Sequence, residues 1–185
     1  MSRALVFLLA ALLATGTARA QTQAPAVDPA TKLAFPATLG GTTLERSASR
    51  GGGASYQYVG PNRMEVTVDV YGGGRRVPNG SSHPTIINQF NDELVAVSEQ
   101  AAAMGAAGFE KPAVPSACTY GPYTFRCIVF SAAGSSATGR VFGKMLMIGY
   151  RENFVKILVQ WTQKSGQTAA DADKVLNVFV PALMR

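Results

Sequence analysis

The chain has 185 residues, 47% hydrophobic and 15% charged, with a formal charge of +6, a single histidine and two cysteines. That balance suits one globular unit with a buried core. It excludes an interaction tail, because no run of five like charges occurs, and a modest positive charge gives no reason to expect nucleic-acid binding.

Met1-Ser2-Arg3 places one positive charge ahead of the apolar run Ala4 to Ala14, and Ala18-Arg19-Ala20 follows. This is the secretory leader pattern, with cleavage expected after Ala20. The apolar run is shorter than the roughly 20 residues that a bilayer span needs, so no transmembrane segment is expected after cleavage. Residues 1–20 read as a signal peptide, 21–32 as a flexible N-terminal arm, and 33–185 as a single α+β domain. The leader holds Arg3 and Arg19 and no acidic residue, so the mature formal charge falls from +6 to +4. The expected location is the periplasm or the exterior.

Leu33-Ala34-Phe35-Pro36 and Leu39-Gly40-Gly41 form a lead-in segment, closed by Gly51-Gly52-Gly53. Strands are expected around Ser55–Val59 and Met64–Tyr71. In the second, Val66, Val68 and Val70 alternate with Glu65, Thr67 and Asp69, the pattern of a half-buried strand. A basic loop from Gly72 to Pro84 leads to an amphipathic helix from Thr85 to about Met104, with Ile86, Phe90, Leu94, Val97, Ala101 and Met104 on one side. Ser81 and Ser82 are the expected caps. The helix carries Asp92, Glu93 and Glu99 and no basic residue.

Four strands are then expected over Phe109–Tyr120, Tyr123–Ala133, Val141–Tyr150 and Phe154–Gln163. In the first hairpin, an index sum of 245 would set Cys118 opposite Cys127. An oxidising compartment would make that pair a disulfide, stabilising by about 3 kcal/mol. Eight intervening residues do not suit redox chemistry of the C-x-x-C kind, and two thiols with one distant histidine make a poor zinc set. In the second hairpin, a sum of 305 would pair Leu146, Ile148 and Tyr150 with Val159, Ile157 and Val155, and would set Lys144 opposite Trp161. Met145, Met147 and Leu158 make the other face apolar too, so both faces need cover. A helix from about Thr168 to Leu183 can cover one and the first helix the other. The fold class is therefore α+β, an antiparallel sheet of about six strands flanked by two main helices in the order β-β-α-β-β-β-β-α.

This order resembles the PsbP-type fold, a twisted antiparallel sheet flanked by helices. The segments Phe35-Pro36-Ala37-Thr38-Leu39-Gly40-Gly41 and Gly149-Tyr150-Arg151-Glu152-Asn153-Phe154-Val155-Lys156 are similar to those of small exported bacterial proteins of unknown role. The PsbP resemblance implies an accessory or assembly role, and neither resemblance carries catalytic residues onto this chain.

No residue set here makes a catalytic constellation. His83 precedes Pro84 at a helix entrance, and no G-x-S-x-G segment supplies a nucleophile. Gly134-Ser135-Ser136-Ala137-Thr138-Gly139-Arg140 has the glycine spacing of a phosphate loop, but Arg140 and Val141 replace its lysine and hydroxyl residue. Glu65 and Asp69 lie about 13 Å apart along a strand, too far for a glycosidase pair, and read as a solvated edge. Asp171 and Asp173 suit the start of the last helix. Asn79-Gly80-Ser81 fits an N-glycosylation acceptor but reads as a turn. No metal or cofactor is expected.

Two features hint at binding. Lys111, Arg126, Arg140, Lys144, Arg151, Lys156 and Lys164 stand against Glu152 alone over the sheet half, which is expected to meet either the acidic helix or an anionic partner. In the Gly72–Pro84 loop, glycine N–H groups with Arg75, Arg76 and His83 would suit phosphate or carboxylate. Three functions follow: a non-enzymatic exported accessory or binding protein of unknown ligand, its partner an unknown protein or an anionic envelope component; an envelope-surface protein binding anionic lipid or polysaccharide through that loop; and an enzyme with a dispersed active site.

Overall fold

The computed structural model describes residues 26–50, 52–72, 76–103, 108–135 and 138–185. The leader, 1–20, lies outside them. Two short strands, β1 (Ala26–Val27) and β2 (Ala34–Phe35), pair with each other. Between them Asp28 Oδ1 accepts hydrogen bonds from the Thr31 amide and hydroxyl, both 2.7 Å, and Thr31 is fully buried. The latter half of the segment read as an arm is thus fixed by its own turn.

The main sheet has eight strands, two more than the sequence suggests. They are β3 (Thr38–Leu39), β4 (Thr42–Arg50), β5 (Gly53–Val59), β6 (Glu65–Tyr71), β7 (Ser116–Tyr120), β8 (Tyr123–Ala133), β9 (Arg140–Tyr150) and β10 (Asn153–Thr162), in the order β3-β4-β5-β6-β10-β9-β8-β7, all antiparallel. The extra strands are β3 and β4. β4 reads TTLERSASR, with one large apolar residue and a register shift between Leu44 and Arg46, so no alternation marks it. The strand expected over Phe109–Tyr120 shortens to β7, since Pro112 and Pro115 cannot donate to a ladder.

Both hairpin registers differ from the expected ones by two residues. The β9–β10 turn has only Arg151 and Glu152 in its loop, with φ of +47° and +63°, the pattern of a type I′ turn. It closes the hairpin at Tyr150–Asn153 and sets Leu146 opposite Ile157, Ile148 opposite Val155 and Lys144 opposite Val159. Trp161 accordingly stacks on Phe142, not on Lys144. In the other hairpin, Gly121 at φ +59° followed by Pro122 makes a two-residue loop that pairs Tyr120 with Tyr123. Cys118 then faces Phe125, and Ser116 faces Cys127. The cysteines are diagonal neighbours with Cα atoms 5.9 Å apart, joined as a disulfide. A shift of two preserves side-chain faces, so the expected division of the sheet holds.

Helix α1 (Pro84–Ala103) covers one face. Its Ile86, Phe90 and Leu94 pack with Phe130, Met145, Met147 and Phe154. Helix α2 (Ala169–Leu183) covers the other, where Ala172, Leu176, Phe179 and Val180 meet Tyr58, Val68, Leu146 and Ile157. Thr168 caps α2 in a reciprocal box with Asp171. Lys174 joins Thr168 in holding the exposed Asp171 carboxyl down, to about 2. Among the described residues no helix is long and apolar enough to cross a membrane.

Candidate functional site

The loop before α1 is laid against the sheet by two antiparallel bridges, Val77 to Glu152 and Gly80 to Gly149. Gly149 permits this approach: a Cβ there would lie 1.8 Å from the Pro78 carbonyl oxygen. Asn79 Oδ1 accepts from the Arg151 amide at 2.9 Å, tying the loop to the type I′ turn. Of the residues expected to bind an anion, Arg75 lies outside the described residues. Arg76 is 84% exposed and reaches Glu152, Nε to Oε1 2.6 Å, an exposed pair of small energetic consequence. His83 is exposed and serves as the helix cap in place of Ser81 and Ser82. Its carbonyl accepts from Ile86 and Ile87, its Nδ1 accepts from Thr85 at 3.2 Å, and Pro84 takes the first helical position. Arg76 thus pairs with a turn residue, and His83 stands at a helix start.

Two polar clusters that sequence reasoning missed lie on the sheet faces. On the α1 side, Lys156 sits opposite Asp69 in the β6–β10 register. Its Nζ reaches Asp69 Oδ2 at 2.9 Å and Glu93 Oε2 at 2.7 Å, with all three side chains less than a quarter exposed. Glu93 also accepts from the Tyr71 hydroxyl at 2.8 Å and from Gln89 at 3.3 Å. Asp69 is therefore not a solvated edge residue, because β6 lies inside the sheet, between β5 and β10. The signal was present in part: an acidic helix and a lysine on an apolar strand, but no register to bring them together.

Burial alone would raise the Glu93 carboxyl. The Lys156 charge and hydrogen bonds from Lys156, Tyr71 and Gln89 outweigh it and hold that carboxyl below its ordinary range. Burial likewise opposes the charge on Lys156, yet Asp69 and Glu93 raise its pKa. The Tyr71 phenol is pushed up by burial and by Glu93. At neutral pH the lysine stays protonated, the carboxylate ionised and the phenol a donor.

On the α2 side, Lys144 Nζ and the Tyr120 hydroxyl both donate to Asp173 Oδ1, at 2.6 and 2.5 Å. Lys144 also lies 5.6 Å from the Tyr120 ring centre. Burial would raise Asp173, but the bonds from Lys144 and Tyr120 bring it down. Each cluster thus joins a sheet lysine to a carboxylate on the helix covering that face.

Elsewhere, an open groove of about 330 Å³ runs between the outer side of α1 and Phe109, lined by Leu94, Val95, Glu99, Phe109 and Lys111. Neither Arg76, His83 nor either lysine cluster contributes to it. Among the described residues no group of three histidine, cysteine or acidic side chains could hold a metal. Gly134 lies in the β8–β9 connection, and Arg140 opens β9 opposite Ala133. Arg140 there bonds Ser131 and Glu110, which gives its loop a structural anchor, not a phosphate cradle. No protein-family model matches the chain, and no curated protein matches it.

Proposed function

We propose that this chain is an exported, non-enzymatic accessory or binding protein of the periplasm. The observation that carries the reading is the use made of two lysines on the sheet faces, Lys144 buried and Lys156 largely covered. Lys156 is bonded to Glu93 on α1 and Lys144 to Asp173 on α2, so the groups best suited by burial to do chemistry are engaged in holding the helices. The leader pattern at 1–20 and the joined cysteines support the compartment.

A second reading, contact with anionic lipid or polysaccharide, is favoured by the exposure of Arg76 on a loop whose partner Glu152 is also 58% exposed. One experiment separates the two: co-purification from periplasm at low and high salt, using the wild-type chain and Arg75→Ala/Arg76→Ala. A protein partner retained in fixed proportion under all four conditions is expected. Loss with salt or with the double variant would favour the envelope reading, in which two arginines at about 1 kcal/mol each correspond to roughly thirtyfold weaker binding. The melting temperature should be nearly unchanged, because the Arg76–Glu152 pair is exposed. Turnover in a broad hydrolase screen, abolished by one point substitution, would overturn both readings.

A further inference from the structure

The geometry points to the Cys118–Cys127 disulfide as a directional thiol-exchange site, attacked at Cys118 by an exported dithiol and releasing Cys127. The inference does not depend on which partner the protein binds. Three observations carry it. First, the sulfurs differ in access: Cys127 is 1% exposed within the α2-side core, whereas Cys118 is half-buried between exposed neighbours Ala117 and Thr119. Second, the bond runs from an inner strand to an outer one. β8 is flanked by β9 and β7, while β7 ends the sheet and has no further strand beside it among the described residues.

A thiolate must approach in line with the bond it breaks, so attack on a given sulfur comes from the side opposite its partner. For Cys118 that side is the open edge of the sheet. For Cys127 it is the interior, where Leu146 of β9 stands directly across the ladder. Third, the leaving sulfur has a hydrogen-bond donor in place. Ser116 faces Cys127 across the hairpin with its Oγ 3.2 Å from Sγ. A disulfide sulfur carries no hydrogen, so the hydroxyl is the donor, and the same bond would favour the thiolate as it leaves.

In the exchange, one thiolate of the dithiol bonds to Cys118 Sγ. The Cys118–Cys127 bond breaks with its electron pair going to Cys127 Sγ, which then takes a proton from water. The second thiol of the donor attacks its own sulfur in the mixed disulfide, and Cys118 leaves as a thiol. The protein pair gains two electrons and the dithiol is oxidised to a disulfide. Tyr120 remains bonded to Asp173, so the inner end of β7 stays anchored while its outer end, Ser116 to Cys118, loses its covalent tie.

The test uses the wild-type mature chain, folded, with glutathione as the monothiol probe. Short exposure is followed by acid quenching, alkylation and tryptic mapping; Arg126 lies between the cysteines, so they fall in separate peptides. Glutathione on Cys118 with alkylated Cys127 is expected in about tenfold excess or more over the reverse product. Ser116→Ala should slow the reaction several-fold without moving the adduct. Equal adducts on both sulfurs, a preference for Cys127, or no adduct until the protein is denatured would each overturn the assignment.

Discussion

Replacing Lys156 by methionine is expected to destabilise the fold by about 3–5 kcal/mol at neutral pH, measured by urea denaturation. Methionine keeps most of the aliphatic stem, so little packing is lost. What disappears is the cation between Asp69 and Glu93, leaving two half-buried carboxylates side by side without it. The effect should depend on pH. The Glu93 carboxyl is held below its ordinary 4.5, so its contribution is present above that value and fades as pH falls through its lowered pKa. Lys156 is held above its ordinary 10.5, so its contribution is present below that value and fades as pH rises through its raised pKa. The gap between wild type and variant should therefore be widest near neutral pH and narrow on either side, on the acid side as the carboxylates left without their cation take up protons. Adding Glu93→Gln should restore part of the loss. A gap below 1 kcal/mol, or one unchanged at pH 3, would show that Lys156 is not a strut.

Phe179→Ala should cost a similar amount on the other face, about 3–5 kcal/mol. Phe179 is fully buried, meets the Tyr58 ring edge-on at 5.3 Å, and its backbone approaches Gly40 so closely that a Cβ on that glycine would stand 2.7 Å from the Phe179 Cα. Truncation would leave a cavity between α2 and the strands around β5, which the Gly40 turn cannot close by moving inward. For a chain of this size the loss corresponds to a fall of roughly 6–20 °C in melting temperature. Val178, its neighbour, is an exposed residue. Its change to alanine should stay within about 0.5 kcal/mol. Equal effects at the two positions would mean that α2 does not lie on the sheet as described.

What could be read from residues alone follows from the period of the apolar pattern. Ile86, Phe90 and Leu94 mark α1, and Leu176, Phe179 and Val180 mark α2, because helical spacing places them on one side. The doubly apolar run Met145–Ile148 likewise implies cover on both faces of the sheet. Strand β4 escaped because Thr42–Arg50 lies near the edge of the sheet, where polar side chains meet water and no alternation is required. The register errors had one cause: Arg151-Glu152 and Gly121-Pro122 make two-residue loops, while longer turns were expected. Arg151 and Glu152 take left-handed conformations that their residue types do not announce.

The candidate site was less legible. Arg76 and His83 were identified by residue type, yet type does not reveal that Glu152 and the α1 N-terminus engage them. The Lys156 and Lys144 clusters required the register and both helix placements at once. Sequence does bring lysines and carboxylates into the chain; only the folded pairing decides which of them meet.

The claim beneath the functional account is that the chain acts outside the cytosol, in oxidised form. Intact-mass analysis of the protein taken from its native host tests this most directly. The account requires a chain beginning at Gln21, two hydrogens lighter than its dithiol form, with Cys118 joined to Cys127. A chain that retains Met1 and carries both thiols free would contradict it.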